Sequence, residues 1–163
     1  PDVDAHRLGA RPGEVLPRIL GQTRSGTARL ALVISKFDSL HQLPRVSDSR
    51  AAILANPAAH FNQDATMQRA ALPPDRAAAE FEEDSRFLDA EVRSLFDRIN
   101  EESVTLVADQ AAVGGRIAAV RHFAVSAVGE SPRHADQLTQ RGISPFRVLD
   151  PILWGLSAKG IEL

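Results

Sequence analysis

The sequence predicts an α/β domain organised around a mostly parallel sheet, and three observations carry that prediction. The first is the run Leu30, Ala31, Leu32, Val33, Ile34, which lacks period-two alternation and fits a short strand buried on both faces. The second is a matching run from Val120 to Val128, interrupted only by Arg121 and His122. The third is helical patterning before, between and after the two runs, the order in which strands and helices alternate in α/β folds.

Taken in order, Pro1 to Gly13 reads as an irregular entry. From Glu14 the residues Val15, Ile19 and Leu20 fall at helical spacing, so a short helix to about Gln22 is expected, with Pro17 near its first turn. Thr23 to Thr27 forms the turn into the first strand. Ser47, Asp48 and Ser49 offer caps to a short alanine-rich helix that Asn56-Pro57 should end. A polar connection from His60 closes at Pro73-Pro74.

The most strongly helical stretch follows. Phe81, Leu88, Val92, Leu95, Phe96 and Ile99 recur at helical intervals, while Glu82, Glu83, Asp84, Arg86, Asp89 and Arg93 cover the other side. The pattern is open as to whether this helix runs on through Leu106, Val107 and Val113 or breaks near Asn100. Gly114-Gly115 is the expected stop. After the second strand, Pro132 to Arg141 reads as loop, and Gly142 and Pro145 mark turns. Asp150-Pro151 has the form of an N-cap followed by proline at the first helical position, opening a helix with Ile152, Leu153, Trp154 and Leu156.

Composition narrows the functional classes. The chain has 163 residues, a formal net charge of -2, a charged share of 25% and no cysteine. Interspersed charge offers no basic face for a nucleic-acid backbone, so no nucleic-acid partner is expected. The absence of cysteine excludes disulfides and thiolate chemistry and agrees with a cytoplasmic location. No apolar run approaches the ~18 to 20 residues of a membrane-spanning helix, and no membrane partner is expected. The five histidines show no metal-ligand spacing, and no serine sits in a nucleophile motif, so no metal ligand and no catalytic residue is assigned.

Two short motifs stand at the strand ends. Ser35-Lys36-Phe37-Asp38 terminates the first apolar run, and Ser126-Ala127 lies near the end of the second. Ligands of open α/β sheets bind in the crevice outside the carboxyl ends of the strands, so these residues are the candidate binding site.

With SKFD after one strand and SAVG after the next, the chain resembles the carboxyl-terminal half of a P-loop GTPase, TRAFAC-like and of the bacterial double-GTPase type. HFAVSAVG followed by RVLDPILWGL is similar to the ending of such domains. The resemblance implies a partial three-layer sheet over residues 1–163, with an enlarged helical insertion at 43–115 between the base-binding strands. It implies a guanine site of Ser35, Lys36, Asp38, Ser126 and Ala127, in which Asp38 accepts from guanine N1–H and the 2-amino group and the Lys36 stem lies along the purine. GTP or GDP would be the ligand.

The sequence departs from that family in three ways. Ser35 stands where Asn or Thr is usual, the two motifs are far apart, and neither GxxxxGK[ST] nor DxxG occurs. Phosphate and Mg sites are therefore expected upstream, in a longer protein of which Pro1 begins an excised segment, and this chain alone is not expected to hydrolyse GTP. The expected partners are the upstream half of the domain and a second GTPase domain or an effector. The expected function is a regulatory switch in that longer protein. The rival reading is a non-catalytic helical interaction module or degenerate pseudo-GTPase, in which the long helix docks a partner.

Overall fold

A computed structural model of the chain describes residues 12–23, 26–40, 54–98, 102–129 and 143–157. Its elements are α1 (Pro12–Gln22), β1 (Arg29–Ile34), α2 (Phe37–Leu40), a 3-10 turn (His60–Asn62), α3 (Thr66–Ala70), α4 (Pro74–Arg98), α5 (Glu102–Val113), β2 (Ala119–Ala124) and α6 (Asp150–Ser157). The chain divides into two compact units, Pro1–Leu30 with Ser94–Val120, and Ala31–Arg93 with Arg121–Leu163.

In the first unit α1 buries Leu16 and Leu20, four residues apart on one face, and packs on α5. The helix begins at Pro12, whose missing N–H would be unbonded at that position in any case. Pro17 therefore lies deeper in the helix than the sequence suggests and removes a backbone bond to the previous turn. Packing offsets that loss. α5 turns Val104, Thr105, Ala108 and Ala111 inward, and a Cβ on Gly13 of α1 would come within 2.7 Å of Ser103 Oγ. α4 is described to Arg98 and α5 from Glu102, and the stretch around Asn100 on which the question of one helix or two turns lies outside the described residues. Gly115, with φ of 69°, ends α5 in the left-handed conformation that favours glycine.

The second unit is built on the apolar stripe of α4. Phe81, Leu88 and Val92 are buried, and Phe37, Phe61, Phe123 and Trp154 fill the remainder of its core. Phe37 meets Phe61 edge-on at 5.4 Å between ring centroids, and Phe123 lies 5.9 Å from Trp154. Arg121 and His122, the two interruptions of the second apolar run, are turned to acids on α4. Arg121 bonds Glu82 and Ser85, and the His122 backbone N–H and ring both meet Asp89.

The strands correct the predicted fold class. Among the described residues the sheet has two strands, β1 beside β2, and helices dominate, so the expected three-layer, mostly parallel GTPase-type sheet is not what this chain forms. The pairing is parallel: Ala118 N–H donates to Ala28 O at 2.7 Å and Val125 N–H to Ile34 O at 2.9 Å, with both strands rising in number together. The physical reason for the miss lies in β1. Only Leu32 is buried, and Val33 is 40% exposed. An apolar side chain on an uncovered face reads, in sequence, like one covered by a further layer. Of the alanine-rich helix expected after Ser49, the residues before Leu54 lie outside the described residues, while Leu54 is helical and Asn56 is not; the loop from Pro132 to Arg141 and Ile99 also lie outside them. Among the described residues no helix is long and apolar enough to cross a membrane.

Candidate functional site

The carboxyl ends of β1 and β2 do adjoin a cavity, and it lies within the second unit. After Ile34 the chain turns sharply through Lys36, whose φ of 54° is left-handed, and Ser39 N–H closes the turn on Lys36 O at 2.9 Å. The turn directs Phe37 and Asp38 inward. Phe37 N–H donates to Val125 O at 3.0 Å, which fastens the start of α2 to the end of β2. On the other strand, Ser126 forms an antiparallel bridge to Phe146, the two exchanging backbone bonds of 3.1 and 2.8 Å.

Between these strand ends is a cavity of about 390 Å³. Its walls are aromatic and aliphatic, with Phe37, Phe61, Phe146, Leu54 and Pro57. Its polar side chains are Asp38, Asn62 and Ser126. The Ser126 hydroxyl donates to Asp38 Oδ1 and accepts from Gly129 N–H at 2.9 Å. Gly129 has φ of 81°, and a Cβ there would fall 1.9 Å from Ser144 O, so only glycine lets the two segments approach this closely.

The five residues singled out in the sequence thus divide. Asp38 and Ser126 are buried, 88 residues apart in the chain, and joined by a hydrogen bond. Ser35, Lys36 and Ala127 flank them and are exposed.

A second polar cluster was not anticipated from sequence. Arg147, fully buried and itself left-handed at φ 52°, places all five N–H groups: Nε on Gln63 O, Nη1 on Asp84 and Asp150, and Nη2 on His60 O and Asp84. Arg69 bonds the same two carboxylates at 3.0 and 2.9 Å while lying over the Phe81 ring. His60 adds a 2.8 Å contact to Asp84.

Two guanidiniums face two carboxylates, so the formal charge of the four cancels. Burial works against each charged form. At Asp84 it is outweighed by the bonds from Arg147 and His60 and by the charge of Arg69, and the carboxyl falls below its usual range. At Arg147 burial is outweighed by Asp84 and Asp150, and the guanidinium rises above its usual value. At Asp150, whose residue is fully buried, burial prevails over the pull of both arginines, and the carboxyl sits above its usual range. Asp150, expected as a helix cap, spends its carboxylate on these arginines. The sequence carries a faint signal in the spacing of Arg147 and Asp150, three residues apart ahead of a proline.

No protein-family model and no solved structure matches the chain. It is 34% identical over 155 residues, 94% of its length, to a proposed ESX-1 scaffolding and assembly protein, SaeC, of Mycolicibacterium smegmatis. The chain spans 37% of that relative's length. The resemblance to a P-loop GTPase of TRAFAC or double-GTPase type is overturned on two grounds. The relative is named for scaffolding, and the described sheet has two strands where that fold needs a full parallel sheet. The regulatory GTPase switch falls with it. SKFD and SAVG are short enough for two ordinary strand ends to match them.

Proposed function

We propose that this chain is a non-catalytic protein-interaction module within an assembly scaffold. The observation that carries this reading is the 34% identity with SaeC along 94% of the chain. Two features of the second unit support it. The charged side chains Arg69, Asp84, Arg147 and Asp150 are engaged with one another in the interior, a structural use of titratable groups. Meanwhile α6 exposes Leu149 just ahead of it, then Ile152 and Leu156, an uncharged row at helical spacing available to other chains. Partners are proteins in this reading, ESX-1 assembly is the proposed setting, and a cytoplasmic location belongs to the same proposal.

The test is a chimera. Exchanging the matching stretch of SaeC in Mycolicibacterium smegmatis for this chain should leave ESX-1 assembly intact. Loss of assembly by a chimera that accumulates in folded form would overturn the proposal.

A further inference from the structure

The two strands differ at their outer edges. On β2 a side chain of α4 takes up an outward backbone group, since His122 N–H donates to Asp89 Oδ1 at 2.6 Å. The state of β1 follows from its register. Ala118 N–H and Val125 N–H reach Ala28 O and Ile34 O, and six residues separate the two acceptors while seven separate the two donors, so the extra residue is a bulge in β2 and β1 alternates regularly. The even-numbered residues of β1 therefore turn their peptide groups toward β2, and Ala31 and Val33 turn theirs away. Among the described residues the sheet ends at β1, and no hydrogen bond occupies the outward groups of Ala31 and Val33. From Leu30 to Ile34 the strand has neither a charge nor a proline, two devices that keep an edge from pairing with its own kind.

We infer that this edge pairs with the β1 edge of a second copy of the chain, antiparallel about a two-fold axis at Leu32. That register uses the open groups alone: Ala31 of one copy and Val33 of the other exchange both backbone bonds, and symmetry repeats the exchange on the far side of the axis. It also sets a small side chain beside a branched one on the same face, with Ala31 of one copy next to the exposed Val33 of the other. Only an extended strand presents N–H and C=O groups at this spacing, so a helix laid against β1 would leave the edge unsatisfied. The inference goes beyond the scaffold reading and does not depend on it.

Sedimentation equilibrium of the 163-residue chain tests it. Between micromolar and millimolar concentration the mass should rise from 17.6 kDa toward twice that value, and the short edge makes the association weak. In a mixture of labelled and unlabelled chains, an isotope-filtered NOE should join the Hα atoms of the two Leu32 residues, because non-bonded pairs of an antiparallel ladder bring their Cα atoms to about 4.5 Å. Val33→Pro deletes an N–H that faces outward, so the β1–β2 pairing is kept while dimerisation weakens at least about tenfold. If that variant does not fold, the Leu32 NOE in the unaltered chain decides alone. A mass of 17.6 kDa throughout, a dimer without that NOE, or a folded Val33→Pro variant that dimerises as well as the unaltered chain overturns the inference. A chimera that supports assembly while the chain stays monomeric would overturn it and leave the scaffold reading standing.

Discussion

Two buried carboxylate sites in one unit of this protein use the same chemistry to different ends. At the Arg147 cluster, Asp84 and Asp150 are met by two guanidiniums, and every N–H of Arg147 has an acceptor. At the strand ends, Asp38 is met by the neutral hydroxyl of Ser126 and borders a cavity. The first arrangement holds the 3-10 turn, α3, α4 and the start of α6 in one place. The second joins the ends of two strands, 88 residues apart in the chain, at the wall of a cavity.

The largest expected effect breaks the first site. Arg147→Met removes the guanidinium and leaves Asp84 with Arg69 and His60, and Asp150 with Arg69. Breaking one partner of a buried ion pair costs about 3 to 5 kcal/mol, and urea denaturation should register a loss of that size. Exchanging all four charges for apolar groups of similar volume should cost less than Arg147→Met alone, because no charge is then left buried and unpaired. A quadruple variant less stable than the single one would mean that the network is more than a satisfied set of buried charges.

A smaller loss is expected at the second site. Ser126→Ala deletes the donor to Asp38 and the acceptor for Gly129 N–H, and a hydrogen bond to a charged group is worth about 1.5 to 3 kcal/mol. A loss as large as that of Arg147→Met would erase the distinction drawn between the two sites, since the strand-end pair would then be structural in the same degree.

How far the sequence reveals these sites depends on the distance over which their parts are brought together. The stripe of α4 is local, and Leu88 and Val92 are buried as their spacing predicts. Asp38 and Ser126 were found separately, each at the end of an apolar run, because strand ends are legible one strand at a time. Phe61 and Phe146, which complete the cavity, come from segments with no periodic signal. Arg69 and Asp150 are 81 residues apart, and nothing in either neighbourhood names the other as its partner. The family resemblance failed for a related reason: four-residue motifs report where strands end and say nothing of how many strands there are. Val33 gives the same lesson in β1, apolar yet 40% exposed.

Lys36 allows a finer comparison. Its left-handed backbone costs a non-glycine residue about 1 to 2 kcal/mol, and glycine returns part of that to chain entropy. Lys36→Gly should therefore stabilise the protein by about 0.5 to 1 kcal/mol in thermal unfolding. An unchanged or lower melting temperature would indicate that the exposed lysine makes contacts that outweigh its backbone strain.

The smallest effect concerns acid. Glu82 accepts from Arg121 at 2.9 and 3.0 Å and from Arg86 at 3.1 Å. The Arg121 bonds are the largest influence, and against partial burial they hold the Glu82 carboxyl below its ordinary value. A carboxyl with a depressed folded pKa contributes stability that is present above its unfolded pKa and is lost as pH falls through the folded one. Glu82 is 41% exposed, so solvent screens the pair and the contribution is small. Glu82→Gln should thus lower the melting temperature slightly at neutral pH and leave it closer to the unaltered protein's as the solution is acidified through the carboxylate range. The same comparison with Asp84→Asn should show a much larger gap at neutral pH, because Asp84 is the shared acceptor of Arg69, Arg147 and His60 in the interior. If Glu82→Gln and Asp84→Asn shift the melting curve equally at neutral pH, burial does not separate the two carboxylates, and the contrast between interior and surface pairs in this unit fails.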